Sequence, residues 1–70
     1  MLGEEIRKAR KAVGLSQEEL AFRAKIARNY VSLLELNQKS PTVKVLFRIC
    51  KAMGIRASKL IERVERRASS

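Results

Sequence analysis

The chain has 70 residues, 46% of them hydrophobic, enough for one small packed domain near the lower size limit for folding alone. Lys and Arg total 16 against 7 Asp and Glu, and the net charge of +9 favours a polyanionic partner, nucleic acid before an anionic membrane surface. With no histidine and one cysteine there is no internal disulfide and no zinc-binding spacing, so Cys50 reads as a small core residue. Leu2, Ile6, Ala9 and Val13 then recur at spacings of four, three and four, which marks an amphipathic first helix. Glu4 and Glu5 fall in its opening turn and Arg10 and Lys11 in its last, as the helix dipole prefers. Arg7, Lys8 and Lys11 make a solvated face, and Gly14 ends the helix because it can turn left-handed.

The stretch from Leu15 to Leu36 reads as two short helices broken at Lys25–Ala27. Ser16 precedes the first, and Glu19 three residues later completes a capping box, with Leu15 and Leu20 spaced as a hydrophobic staple. Leu20, Ala21 and Ala24 form its inward stripe, with Phe22 opposite and exposed. In the following helix Val31 and Leu34 face inward, leaving Asn29, Ser32, Leu33 and Leu36 outward. A helix held from behind, with polar and small apolar groups presented outward, suits the major groove of DNA, and the arrangement at 16–36 is a helix-turn-helix.

Asn37 to Thr42 is a polar connector in which Asn37 tolerates a left-handed helix end and Pro41 keeps Ser40 out of any helix. Thr42 caps a helix over Val43 to Met53 that buries Leu46, Ile49, Cys50 and Met53, with Val43 and Phe47 at the edge and Lys44, Arg48 and Lys51 opposite. Gly54 stops it, and Ile55 folds back onto the core. From Ala57, Leu60, Ile61, Val64 and Ala68 make the stripe of a fifth helix, with Arg63, Arg66 and Arg67 behind. The expected architecture is all-α, a compact five-helix bundle over residues 1–67, with 68–70 a frayed tail.

Read as an ordered series, LGEEIRKARKAVGLSQEELA, Val31–Ser32–Leu33–Leu34–Glu35 and SPTVKVLFRICKAMGI resemble the XRE, or lambda-repressor-like, family of helix-turn-helix proteins over nearly the whole chain. Two positions within the helix-turn-helix depart from the family pattern. Lys25 stands where a turn glycine is usual, so a left-handed backbone there is strained. Ala27 replaces the Ser or Thr that caps the recognition helix. Arg56 likewise occupies a family cap position that it fills poorly. The resemblance implies that Arg10 pairs with Glu35, locking the first helix to the recognition helix. It also makes Arg28, Asn29, Ser32 and Leu33 the base readers. Arg28 matches guanine O6 and N7, and Asn29 matches adenine N6 and N7. Leu33 either covers a thymine methyl or leans onto Leu36 or Phe22. Gln17 contacts phosphate or braces the first reader, and Tyr30, Asn37, Lys39, Thr42 and Lys44 are further phosphate candidates, each of which an ordinary solvated surface explains equally well.

The resemblance implies a sequence-specific transcriptional regulator of double-stranded DNA, bacterial or phage-encoded and cytoplasmic, that blocks or recruits polymerase by position alone. One recognition helix reads too few base pairs, so a homodimer on a palindromic operator is expected. Its seam is the stripe of Ile61 and Val64, joined by Ile55 and Phe47. The length suits stand-alone types: a Cro-like repressor, an antitoxin, or a restriction–modification controller protein, which fits the fifth helix best. The alternative is an antitoxin-type interaction module that meets a partner protein such as a toxin through Phe22, Leu33 and Leu36. No nucleophile–base pair or paired carboxylate points to an enzyme, no cofactor is expected, and no apolar run of ~18–20 residues or secretory signal points to a membrane.

Overall fold

Helix ends in this chain fall where single residues can satisfy the orphaned backbone groups, and those residues set the architecture. The computed structural model describes residues 1–69, without the side chain of residue 69, and among them holds five helices and no strand. These are α1 (Leu2–Ala12), α2 (Gln17–Ala24), α3 (Arg28–Glu35), α4 (Val43–Met53) and α5 (Ala57–Ser69). At the start of α2, Ser16 Oγ accepts from the Glu19 N–H at 3.0 Å, and Glu19 Oε1 accepts from the Ser16 N–H at 2.9 Å. Those hydrogen bonds, the Ser16 N–H first, hold the Glu19 carboxyl below its ordinary value. The box therefore stabilises the fold above the ordinary carboxylate range and is lost as pH falls through the lowered pKa. Thr42 Oγ1 caps α4 by accepting from the Val45 N–H at 3.1 Å.

Gly14 (φ 74°) and Gly54 (φ 71°) close α1 and α4 in the left-handed region that glycine reaches without steric cost. Two non-glycine residues do the same work at α2 and α3: Lys25 (φ 60°) and Asn37 (φ 59°). At Lys25 the motif is complete, the Ile26 N–H reaching back to Ala21 O at 3.0 Å, so the turn keeps its geometry despite the side chain. Ala27 starts α3 with an extended backbone and no side-chain cap.

Every helix places at least one side chain in the dry centre: Ile6, Leu20, Val31, Leu34, Ile49 and Leu60 are each at most 1% exposed. Around them α2 packs on α3 and α4, α1 on α3 and α5, and α4 on α5. The radius of gyration, 10.9 Å, is that of a folded domain of this size, so α5 lies against the bundle and does not project from it. Two expectations about α1 shift. Val13 is 44% exposed because the helix ends at Ala12 and the Gly14 turn takes Val13 out of the helical register. Glu5 is buried, with Oε2 2.8 Å from Nε of Arg67 on α5. Helix α5 includes residues 68 and 69 of the stretch expected to fray, and Ser70 lies outside the described residues.

Lys25→Gly should raise the unfolding free energy by up to about 1 kcal/mol, since the left-handed penalty of an L-residue (~1–2) exceeds the backbone entropy of glycine (~0.5–1). Ala27→Ser supplies the missing acceptor at the start of α3 and should add about 0.5–2 kcal/mol. Urea titrations check both, and a Lys25→Gly protein less stable than the parent would contradict the strain assigned to that turn.

Candidate nucleic-acid interface

The angle and position of α3 are set by a carboxylate that three donors converge on. Glu35 Oε2 accepts from Arg10 Nε at 2.7 Å and Oε1 from Arg10 Nη2 at 3.1 Å, a two-pronged pairing of two buried side chains. Arg10 Nη1 also donates to Leu15 O at 2.9 Å, which fixes the α1–α2 connection. Gln17 Nε2 donates to Glu35 Oε1 at 3.0 Å. Because a carboxylate only accepts, this bond decides which way the Gln17 amide points and leaves its Oε1 and second N–H for other partners.

Gln17, Arg28, Asn29 and Ser32 line one open cleft on the outer side of α3. Arg28 and Asn29 are exposed, while Ser32 and Gln17 are half-buried. Those three residues of α3 follow the spacing of a helix start, and without a cap on Ala27 the first N–H groups of α3 have no side-chain acceptor. The site thus combines backbone donors, a guanidinium, two amides and a hydroxyl. That set can read base edges and bind phosphate oxygens, and it contains no general base beside a nucleophile. Among the described residues no group of His, Cys, Asp and Glu could hold a metal.

Other candidate residues lie in different settings. Leu33 is half-buried, does not line the cleft, and offers its carbonyl to the Gln38 N–H at 2.9 Å. Tyr30 is half-buried with its side chain packed on the core. The Asn37 amide is engaged at both ends: Oδ1 accepts from the Gly3 N–H at 2.8 Å and Nδ2 donates to Glu4 Oε1 at 3.4 Å. Thr42 keeps its hydroxyl proton free while its oxygen caps α4. Lys39 and Lys44 are exposed. On the α4–α5 side Phe47 is 58% and Ile61 49% exposed, whereas Ile55 and Val64 are half-buried.

Gly3 went unmarked at the sequence level. A Cβ there would meet Leu34 O, Glu35 O at 2.6 Å and Asn37 Oδ1 at 2.7 Å. The amino end of α1 therefore touches the carboxyl end of α3, backbone against backbone. Only the unexplained glycine in an opening helical turn hinted at it.

Comparison with known proteins agrees with this geometry. The helix-turn-helix family model matches residues 6–60, and the chain belongs to that family. It is 31% identical over 61 residues to y4dJ of Sinorhizobium fredii, a helix-turn-helix-type transcriptional regulator, spanning 87% of this chain and 79% of that protein. The crystal structure of the restriction–modification controller protein C.AhdI from Aeromonas hydrophila superposes with a TM-score of 0.82 at 34% identity, covering 84% of this chain and 89% of that one. The biofilm master regulator SinR, solved in complex with DNA, gives a TM-score of 0.82 at 31% identity over 87% of this chain and 98% of that chain. Against the whole SinR of Bacillus subtilis the match spans 57% of its length.

Removing either member of the buried pair strands the other, at a cost of about 3–5 kcal/mol where burial is deep. Arg10→Met and Glu35→Met should each fall at the lower end of that range. The double replacement should cost less than their sum by about 0.5–3 kcal/mol in thermal or urea melts. Strictly additive losses would mean that the two side chains do not support one another.

Proposed function

We propose that the chain is a sequence-specific, DNA-binding transcriptional regulator that sits as a two-fold dimer on a palindromic site. The cleft of Gln17, Arg28, Asn29 and Ser32 carries the reading, because it joins base-reading and phosphate-binding groups on a helix held rigidly by the Glu35 carboxylate. Arg28 and Asn29 read base edges, Ser32 and Leu33 follow along the same helix, and Gln17 meets a phosphate in the orientation that Glu35 imposes. Lys39, Thr42 and Lys44 add phosphate contacts, and Tyr30 and Asn37 act mainly by holding the ends of α3 in place.

The likeness to C.AhdI supports a controller-type regulator, acting in the cytoplasm of a bacterium or encoded by its phage. Among the described residues no helix is long and apolar enough to cross a membrane. Regulation is positional, by blocking or recruiting polymerase, with no chemistry performed. Exposed Ile61 and Phe47, continued by Val64 and Ile55, form the seam between protomers. A two-fold axis there sets the two α3 helices one turn of DNA apart, about 34–36 Å. Exposed Phe22 and Leu36 support a second reading, a fold used to hold a partner protein in place of DNA. Salt separates the two, since six to ten phosphate contacts lose about 10³–10⁵-fold in affinity between ~50 and ~200 mM salt and an apolar contact barely responds.

Arg28→Ala should cost about 1–3 kcal/mol on the preferred duplex and relax selection at one base pair. Lys39→Ala should weaken every sequence alike and lower the salt slope by about one. A selected sequence pattern unaltered by Arg28→Ala would refute the reader assignment. For the seam, Ile61→Glu replaces a half-exposed side chain and should leave a folded monomer with only non-specific duplex affinity. Sedimentation of an Ile61→Glu protein that stays dimeric would place the seam elsewhere.

A further inference from the structure

The reading face takes Arg28, Lys39 and Lys44, a minority of the sixteen cations. Four more, Arg23, Lys25, Arg48 and Lys51, line a single open cleft between the end of α2 and the side of α4, together with the small side chains of Ala24 and Ala52. Three exposed cations elsewhere have acids at hand: Lys8 lies 3.9 Å and Arg67 2.8 Å from Glu5, and Arg66 lies 2.8 Å from Glu62. None of the four cleft side chains makes an ion pair or a hydrogen bond among the described residues. The Glu19 carboxylate, which accepts from the Ser16 N–H, also feels the charge of Arg23 but makes no ion pair with it.

Helix α4 contains no Asp or Glu, and its cations Lys44, Arg48 and Lys51 share one face at spacings of four and three. Like charges at that spacing weaken a helix. Lys25 adds a fourth cation and holds a left-handed backbone that glycine would adopt without strain. Stability alone therefore favours none of this arrangement, and an anionic occupant would offset it.

The lip of the cleft indicates which kind of anion. Arg23 also borders Phe22, which at 85% exposure is the barest large hydrophobic side chain among the described residues, in a hollow shared with Glu18 and Glu19, and Glu19 lines a second hollow with Arg23 and Lys51. The lip of the cleft thus sets an aromatic ring and two carboxylates beside the cations. A nucleic-acid backbone carries a charge at every nucleotide and would meet Glu18 and Glu19 along this lip. A polypeptide can carry its acids at one end and an apolar side chain next to them.

We propose that this cleft binds an acidic segment of a partner protein, with carboxylates on Arg23, Lys25, Arg48 and Lys51 and an apolar side chain against Phe22. Arg23 lies six residues beyond Gln17 along α2, about 9 Å, and Lys25 closes that end of the helix. The segment can therefore dock while the Gln17 end of α2 and the face of α3 hold DNA. A regulator that recruits or restrains a DNA-bound machine needs a protein contact of this kind, beside the duplex and not between it and α3.

The test uses the isotope-labelled full chain, free and saturated with a duplex selected for binding. The probe is a short synthetic peptide with an Asp- and Glu-rich half followed by Leu and Phe, and the control is its Asn and Gln counterpart. Amide shifts confined to Phe22–Lys25 and Arg48–Ala52, alike with and without duplex, are expected. Because exposed ion pairs are individually weak, the double variant Arg48→Gln, Lys51→Gln should lower peptide affinity by about ten-fold, with the selected duplex sequence unchanged and duplex affinity lowered by much less. Phe22→Ser should lower it independently of those charges. The inference is overturned if saturating peptide leaves these amides unmoved, if the uncharged control binds equally, or if the shifts fall on Arg28–Ser32. Displacement of the peptide from the cleft by a non-specific duplex would assign the cleft to nucleic acid instead. Duplex binding is read in the same sample, so a failure of the DNA reading leaves the peptide result interpretable.

Discussion

The two-pronged bond between Arg10 and Glu35 is the interaction on which the placement of α3 depends. An ion pair this deep loses most of its hydration, and its attraction is repaid only when the remaining donors and acceptors are satisfied. Here they are: Glu35 takes three donors, and the third Arg10 nitrogen bonds Leu15 O. One guanidinium thereby joins α1, the α1–α2 connection and α3, while Gln17 brings in α2. The flat, forked geometry of the pair fixes direction as well as distance, which apolar contacts alone do not.

Such a device is needed because α3 has little stability of its own. It is an eight-residue helix without a side-chain cap, well below the length at which isolated helices persist. Its helical state comes from burial of Val31 and Leu34, from Glu35, and from the Gly3–Asn37 junction at its far end. Each of these acts on the inner side or the carboxyl end. The outer amino-terminal turn is left unencumbered, with Arg28, Asn29 and Ser32 around an open cleft. Rigid support behind and free groups in front together suit the start of this helix to recognition.

Where an element is bounded by local chemistry, the sequence alone located it. Ser16–Glu19, Thr42, Gly14 and Gly54 act within a few residues of themselves, and the helices they bound follow from them. Long-range geometry was harder to read. The approach of Gly3 to Asn37 joins positions 34 residues apart, and no local pattern distinguishes an asparagine that caps a distant helix from one that meets a phosphate. Glu5 carries a charge that suits an opening turn, and its burial appears only once Arg67 returns on α5. The Arg10–Glu35 pair was expected only by resemblance to a family. Residue spacing would have allowed either side chain to lie in solvent.

The proposed recognition surface unites four residues from two helices, and the proposal requires that the chain distinguish one DNA sequence from another. Selection of bound duplexes from a random pool, with the unmodified chain at physiological salt, tests that claim most directly. An enriched motif of two inverted half-sites centred one helical turn apart, about 10–10.5 base pairs, is the predicted result. A bound pool with no enriched sequence, or with a motif lacking inverted symmetry, would contradict the account.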